Sequence, residues 1–286
     1  MNPQTDIGHR IERIREIFQQ THALSTAQED LSLLVIQLEN TEMAYRSIAY
    51  EAASMVMALR DFSNGNGLTR WRSFLEGPAA PHAAQGHAGL GWAMAQQRIP
   101  LTPTLETLEP LMRFRMLDGW GYYNGIFRQR QTIGSQPFPP DFETRFARGF
   151  DQGVGRSLWY NCKGDWVAIP ESIAQFSVSR HSDLWRGIGI AASYVGGCNE
   201  FILRELFSLS QPHQAQLSVG AALVARTRNT ANAGTPDIEL ACQVWCRRSA
   251  RAASGITVNA EPSLTVDPND AYLIWISNIE EKLSLN

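Results

Sequence analysis

The segment Gln152-Gly-Val-Gly-Arg156 decides the fold, because variants of it recur along the chain at nearly constant spacing. Each copy places a small residue, any residue and a second small residue ahead of an apolar or aromatic stretch. The other copies are Glu51-Ala-Ala-Ser-Met55, Ala88-Gly-Leu-Gly-Trp92, Asp118-Gly-Trp-Gly-Tyr122, Arg186-Gly-Ile-Gly-Ile190 and Val219-Gly-Ala-Ala-Leu223. Copies that share one phase throughout the chain indicate an internal repeat.

The small residues that open these copies keep a period close to 33 residues. Between Ala52, Gly89, Gly119, Gly153, Gly187 and Gly220 the intervals are 37, 30, 34, 34 and 33 residues. That period is the length of one helix-turn-helix unit, and small residues let neighbouring helices approach closely. Glycine lowers the stability of a helix interior by roughly 1 kcal/mol relative to alanine. Its recurrence at the same position of each repeat therefore indicates that packing requires a small residue there. The pattern predicts an all-α fold of stacked helix-pair repeats, a TPR-like α-solenoid that either stays open or closes into a compact single domain.

The repeat accounts for most of the chain. No linker or shift in composition divides the sequence, so we expect a single all-helical domain over residues 1–286. Its parts are N-terminal helices over 1–45, the repeat body over 46–250, and a C-terminal segment with a last helix over 251–286.

Local signals mark the ends of several helices. Apolar residues at helical spacing predict an amphipathic helix over residues 6–20. Thr26 and Glu29 form a capping-box pattern ahead of a second helix. The tail over 254–268 is predicted to be irregular, and a last helix is expected to open near Asp267-Pro268.

Composition and charge exclude several classes of protein. Hydrophobic residues make up 44% of the chain and charged residues 19%, which is typical of a globular domain. The net charge of -3, without a basic stripe, argues against a nucleic-acid partner. Since no apolar run has the length of a signal peptide or a membrane span, we expect a cytoplasmic protein. The four cysteines lack a paired-cysteine motif, which favours buried thiols over a metal site.

Polar residues beside the small-residue motifs are the candidates for catalysis. In a stacked repeat, equivalent positions line one surface, so residues dispersed in sequence can converge. Carboxylates and an imidazole in a partly apolar cavity would serve general acid–base chemistry, and arginines would hold a carboxylate or an oxyanion. The candidates are Glu51, His87, Asp118, Asp151, Arg156, Arg180, Asp183 and Arg186. In the alternative interpretation these are structural ion pairs between repeats, formed by Asp151 with Arg156 and by Arg180 with Asp183.

Aromatic residues also accompany the motifs. They could line a pocket for a long, flat, unsaturated ligand, because aromatic faces bind such molecules with little ordering cost. The alternative is that they form the core between stacked helices. The residues are Trp92, Trp120, Tyr122, Tyr123, Trp159, Tyr160, Trp185 and Tyr194.

Motifs of the familiar enzyme classes are absent from the sequence. It has no Gly-x-Ser-x-Gly elbow, HExxH helix or P-loop, and its Gly-x-Gly copies lack the third glycine of a dinucleotide-binding loop. A terpene-cyclase-like enzyme is compatible with helices and aromatic residues, but the DDxxD magnesium motif is missing. The cofactor requirement therefore stays open.

Four strings in the repeat body carry a resemblance to a known family. They are Phe150-Asp-Gln-Gly-Val-Gly-Arg-Ser-Leu-Trp-Tyr160, Asp183-Leu-Trp-Arg-Gly-Ile-Gly-Ile-Ala191 with Tyr194-Val-Gly-Gly197, His87-Ala-Gly-Leu-Gly-Trp-Ala93 and Leu117-Asp-Gly-Trp-Gly-Tyr122. Their order and spacing resemble the enediyne biosynthesis protein family of UnbL type, which accompanies enediyne polyketide synthases. The resemblance spans residues from about 45 to 250. The chain departs from the family pattern at Tyr123, where the family has histidine, and before residue 45.

The resemblance implies a role in the biosynthesis of a secondary metabolite but assigns no catalytic residue. Together with the motif residues, it leads us to expect a protein that binds a long unsaturated intermediate of enediyne-polyketide type and cyclises, isomerises or otherwise modifies it. The alternative is a non-catalytic scaffold or carrier whose concave face docks a polyketide synthase, a carrier protein or a membrane partner. Small-residue helix faces at the ends of the stack would favour a homo-oligomer.

Overall fold

The computed structural model describes residues 3–65, 67–134, 146–263 and 265–285. Its helices are α1 (Pro3–Ala27), α2 (Leu31–Glu39), α3 (Met43–Asn64), α4 (Thr69–Glu76), α5 (Ala83–Gln97), α6 (Leu101–Leu105), α7 (Pro110–Phe127), α8 (Gln129–Thr132), α9 (Ala147–Asn161), α10 (Ile169–Ala174), α11 (Val178–Val195), α12 (Glu200–Leu209), α13 (Gln214–Thr230), α14 (Pro236–Ala241), α15 (Ala250–Asn259) and α16 (Ala271–Ser284). A 3-10 turn precedes α5 and a π-helical turn follows α14. No β-strand occurs in these ranges, which confirms the all-α prediction. None of the described helices combines the length and apolar character needed to cross a membrane.

A long helix followed by a short one makes up each repeat. The long helices are α3, α5, α7, α9, α11 and α13, and each contains one copy of the small-residue motif. The short helices α4, α6, α8, α10 and α12 lie between consecutive long helices in the chain, and α14 follows the last long helix. The predicted helix-pair repeat is therefore confirmed.

The long helices run parallel, because like ends lie side by side. Near the C-terminal ends, Arg128 donates from Nη2 to the carbonyl oxygen of Ala95 at 2.8 Å, which links the end of α7 to the end of α5. Near the N-terminal ends, Arg148 of α9 donates from Nε to Asp183 of α11 at 2.8 Å. Consecutive parallel helices stack as one continuous layer, and the short helices return the chain between them.

The motif glycines set the distance between the long helices. A Cβ atom on Gly153 would lie 1.9 Å from the carbonyl oxygen of Asp118 in α7, and one on Gly155 would lie 2.1 Å from that of Leu184 in α11. The first small residue thus packs on the preceding helix and the second on the following helix. The same register recurs at the crossings from α5 to α13. Backbone contact at this distance leaves no room for a side chain.

The layer of long helices curves back on itself. Arg228 of α13 donates to the carbonyl oxygen of Ala44 in α3 at 3.3 Å, and α13 also contacts the turn Ala80–His82. The C-terminal end of the last long helix therefore meets the N-terminal end of the first, so the array curves back on itself with an offset along the helix axes; we call this curved array the ring.

Two helices outside the repeat cover the two ends of the ring. At the C-terminal end, Arg15 of α1 donates to the carbonyl oxygen of Tyr160 at 3.5 Å. At the N-terminal end, Tyr272 of α16 stacks on Phe114 of α7, with ring centroids 4.1 Å apart. The interior of the ring is thus flanked by α1 on one side and by α16 on the other.

Three local predictions of helix ends were wrong. Asp30 rather than Thr26 caps α2, because its carboxylate accepts two backbone N–H groups. α15 occupies the first part of the tail that was expected to be irregular, since it packs against α13. α16 begins at Ala271 rather than near Asp267, whose side chain instead accepts the backbone N–H of Asn269 in the preceding turn.

Candidate active site

The position immediately before the first small residue of each motif brings polar groups together inside the ring. It holds Glu51 in α3, Ala88 in α5, Asp118 in α7, Gln152 in α9, Arg186 in α11 and Val219 in α13. All six residues are at most 3% exposed. Because the register is the same at every crossing of these helices, each of these side chains lies level with the equivalent one on the next long helix.

Three of these side chains form a continuous hydrogen-bonded network. Gln152 donates from Nε2 to Oδ2 of Asp118 at 2.6 Å, and its Oε1 accepts from Nε of Arg186 at 2.7 Å. Arg156, one helical turn after Gln152, forms a close ion pair with Asp118. The hydroxyl group of Tyr272 donates to Oε1 of Gln152. The network ties α16 to three of the long helices.

Glu51 stands apart from this network. Its carboxyl group makes no hydrogen bond and no ion pair within 4.0 Å among the described residues. The equivalent position on the neighbouring helix is Ala88, which offers no polar group. Burial raises the pKa of Glu51 to about 7, although the charges of Arg156 and Arg115 oppose the shift. A buried carboxyl group that titrates near neutral pH can both accept and donate a proton.

Two cavities meet at this carboxyl group. One cavity of about 470 Å³ lies under α1, and we call it the α1-side cavity. The other, of about 140 Å³, lies next to α16, and we call it the α16-side cavity. Ile48, Glu51 and Arg156 line both cavities and so form the partition between them. The α1-side cavity falls in the range of about 300–1,000 Å³ that is typical of small-molecule sites.

Aromatic rings form the wall of the α1-side cavity. Phe18 of α1 stacks on Trp92 with ring centroids 4.5 Å apart, and the ring of Tyr122 lies 5.1 Å from that of Trp92. Tyr123 and Tyr160 complete the wall. Such faces suit a flat, unsaturated ligand, because rigid rings supply contact area with little loss of side-chain freedom.

Arg156 places a fixed positive charge at the partition. Burial lowers the pKa of its guanidinium group, but the carboxylates of Asp118 and Glu51 outweigh burial and leave that pKa raised. The guanidinium carbon lies 4.8 Å from the ring centre of Tyr122. The site therefore combines a permanent cation, a titrating carboxyl group and an aromatic wall.

The other predicted carboxylates form ion pairs away from the two cavities. Arg180 donates from Nε to both carboxylate oxygens of Asp151 at 3.0 Å. Burial raises the pKa of Asp151 to about 6, although Arg180 opposes the shift. Asp183 accepts from Arg148 at 2.8 Å and forms a close ion pair with Arg186. None of these residues lines the α1-side or the α16-side cavity.

The predicted pairing of Asp151 with Arg156 and of Arg180 with Asp183 was therefore wrong. Asp151 and Arg156 are five residues apart on one helix, and residues at that spacing do not face each other. Each finds its partner on a neighbouring helix instead, as the pair Asp151–Arg180 and the pair Asp118–Arg156 show. The principle that ion pairs tie adjacent repeats together still holds.

His87 also lies outside both cavities. Its Nδ1 is 2.8 Å from the carbonyl oxygen of Ala83, and its ring meets Trp71 edge-on at 5.1 Å. Burial lowers the pKa of His87 to about 4, so its imidazole is neutral at neutral pH. Three of the predicted ligand-binding aromatic residues are likewise buried without lining either cavity: Trp120, Trp159 and Trp185.

The sequence analysis did not single out Arg115, Phe18 or Tyr272 as residues of the cavities. Arg115 lies three residues before Asp118 on α7 and donates from Nη1 to its carboxylate at 3.4 Å. That spacing on one helix was a usable signal. Phe18 and Tyr272 line the cavities from α1 and α16, and the repeat pattern holds no information about either helix.

Metal-binding groups do not cluster in the parts of the chain that the structure describes. No set of three or more His, Cys, Asp or Glu side chains in these ranges is placed to hold an ion. The four cysteines are free, and three of them are buried.

Comparison with protein families identifies the chain as a whole. Residues 1–283 match the family described as a protein of unknown function (DUF1702). The chain belongs to the DUF1702 family. No curated protein and no solved structure matches it. The family description names no pathway, so the resemblance to enediyne biosynthesis proteins stays a prediction for this DUF1702 member.

The pKa of Glu51 predicts a pH-dependent stability in this DUF1702 protein. An unfolded glutamate releases its proton near its ordinary pKa of 4.5, whereas the folded protein keeps the proton up to about pH 7. The contribution of Glu51 to stability is therefore lost as the pH rises through this window. The glutamine of Glu51→Gln does not titrate. As the pH rises through this window, the free energy of unfolding of the variant should therefore increase relative to that of the wild type by roughly 1 kcal/mol per pH unit.

Urea denaturation of both proteins at a series of pH values measures this difference. Because the subtraction cancels groups common to both proteins, such as His87, it isolates Glu51. A difference that stays constant from pH 4 to pH 8 would show that Glu51 is not buried as a neutral acid.

Proposed function

We propose that this protein binds a long, unsaturated, apolar small molecule, of the class of an enediyne-type polyketide intermediate, and moves protons on its carbon skeleton. One observation carries the proposal: the carboxyl group of Glu51 is buried beside an aromatic cavity and has no hydrogen bond or ion pair with the described residues. A carboxyl group with a pKa near 7 can take a proton from one carbon and return one to another. Such a shift isomerises or cyclises an unsaturated chain without a change in mass.

The neighbouring groups support this chemistry. A carbon that loses a proton leaves negative charge on the ligand, and the fixed cation of Arg156 stabilises such charge in a site with little water. The aromatic wall formed by Phe18, Trp92 and Tyr122 would hold the chain in place. Because α1 covers this end of the ring, it would exclude water from a reactive intermediate.

The shape of the ring favours a small molecule over the scaffold alternative. A scaffold would present an open concave groove to its protein partner. Here α1 and α16 cover the two ends of the ring, and its interior contains the α1-side cavity, the α16-side cavity and buried side chains. A protein partner would therefore be limited to the outer surface.

The test is native mass spectrometry of the protein isolated from the cells that produce it, followed by solvent extraction and absorption spectroscopy. We expect the wild type to retain an unsaturated metabolite. Glu51→Gln should retain an isomer of it, with equal mass but a different absorption spectrum, because binding persists while proton transfer stops. Wild type and Glu51→Gln carrying the same isomer would rule out the acid–base role.

A pair of tryptophan variants tests the location of the ligand. Trp92→Leu removes the centre of the aromatic wall and should lose the metabolite. Trp185→Leu removes an equally buried tryptophan that lines neither cavity, and should retain it. Retention by both variants would place the ligand outside the α1-side cavity.

A further inference from the structure

Three arginines in the interior of the ring differ in how many of their guanidinium nitrogens form hydrogen bonds. Arg186 uses all three guanidinium nitrogens, which donate to Gln152, Gln216 and Asp183. Within the described part of the chain, Arg156 and Arg115 each form hydrogen bonds through Nη1 alone, and both donate to Asp118. The bonds of Arg186 therefore engage every guanidinium nitrogen and hold three side chains in place. Arg115 and Arg156 each keep guanidinium nitrogens that donate to none of the described residues.

These unused donors lie at the α16-side cavity. Arg115 and Arg156 both line it, together with Glu51 and Tyr272. Arg226 lines the same cavity but forms a close ion pair with Glu261. At about 140 Å³ the cavity is close in size to a protein cavity of about 150 Å³ that accommodates benzene. It has room for a small polar group rather than for a whole ligand.

The charges around this cavity do not balance. Two guanidinium groups share the single carboxylate of Asp118. Burial raises the pKa of Glu51 to about 7, so below neutral pH its carboxyl group is mostly neutral and offsets little of the excess positive charge. A buried positive charge without a counter-ion is costly, and an anion in the cavity would remove that cost.

The geometry points to a ligand that carries a carboxylate, bound in the α16-side cavity by Arg115 and Arg156, with its apolar chain in the α1-side cavity. Guanidinium groups bind carboxylates with paired, charge-assisted hydrogen bonds. Ile48, Glu51 and Arg156 line both cavities, so the chain would pass them directly after the carboxylate. Glu51 would then face the carbons nearest the acid end. This inference rests on the proposed function and specifies its substrate as a long unsaturated acid.

The test compares the full-length protein's affinity for parinaric acid, a fluorescent conjugated polyene acid, with its affinity for the methyl ester of the same chain. A charge-assisted hydrogen bond that the ester lacks should make the acid bind roughly tenfold tighter or more. Arg115→Gln should abolish this preference while leaving the affinity for the ester unchanged. Arg115→Lys, which keeps the charge, should retain part of it.

The matched control is Arg113→Gln on the same helix. Arg113 donates to the carbonyl oxygen of Leu108 and does not line the cavity, so this variant should keep the full preference for the acid. Equal binding of acid and ester by the wild type would overturn the carboxylate site and leave the proposed function standing. A preference for the acid that survives Arg115→Gln would overturn the role of Arg115. Failure of both probes to bind would contradict the proposed function itself.

Discussion

Gly153→Ala is expected to lower the free energy of unfolding by on the order of 3 kcal/mol, although alanine is intrinsically the better helix former. The added Cβ atom would lie 1.9 Å from the carbonyl oxygen of Asp118 and 2.7 Å from the backbone nitrogen of Tyr122. Both are backbone atoms of α7, which cannot rotate away as a side chain can. α7 and α9 must therefore separate, and urea denaturation should show a lower midpoint.

Gly255→Ala is the matched control for this substitution. Gly255 lies in α15, and a Cβ atom there would meet nothing within 4 Å. The variant should gain up to about 1 kcal/mol from the higher helix propensity of alanine. If Gly153→Ala is stabilising as well, the close approach of α7 and α9 is absent and the packing explanation of the repeat motif fails.

Asp118→Ala is expected to cost about 3–5 kcal/mol, the usual effect of removing one partner of a buried ion pair. Asp118 is 0% exposed and accepts from Arg156, Arg115 and Gln152. Its removal leaves two guanidinium groups without their shared counter-ion and deprives Gln152 of an acceptor. Thermal or urea unfolding would measure the loss.

Two further variants separate the causes of this loss. Glu200→Ala breaks an ion pair between Glu200 and Arg204 whose side chains are more than half exposed, and it should cost less than about 1 kcal/mol. Adding Arg156→Met to Asp118→Ala removes one of the stranded cations and should recover part of the stability. A double variant no more stable than Asp118→Ala would indicate that lost packing, not unpaired charge, destabilises the protein.

The repeat was predictable because packing constrains it locally. Wherever two helices meet at backbone distance, only a small residue fits, and the same crossing recurs in each unit. The residue before the first small residue of each motif then faces the interior in every repeat. That phase explains why Glu51, Asp118 and Arg186 could be chosen as candidates from the sequence. Gln152 occupies the same position and was passed over, although it connects the network.

The partners of the charged residues were not predictable in the same way. Asp151 and Arg156 are close in sequence, yet each bonds to a residue on another helix. Which residues meet across a crossing depends on the angle and register of the two helices, to which sequence distance is no guide. The same applies to His87, whose motif position resembles that of the cavity residues although it lies outside both cavities.

By itself, the sequence determined the all-helical class, the period near 33 residues and the phase of the buried polar positions, because each depends on contacts that repeat from unit to unit. Only the tertiary structure decided that the array curves back on itself, that α1 and α16 cover its ends, and that Glu51 lies between two cavities without a hydrogen bond to the described residues. These features depend on contacts made once, between residues far apart in the chain. A contact that occurs only once produces no repeating pattern in a single sequence.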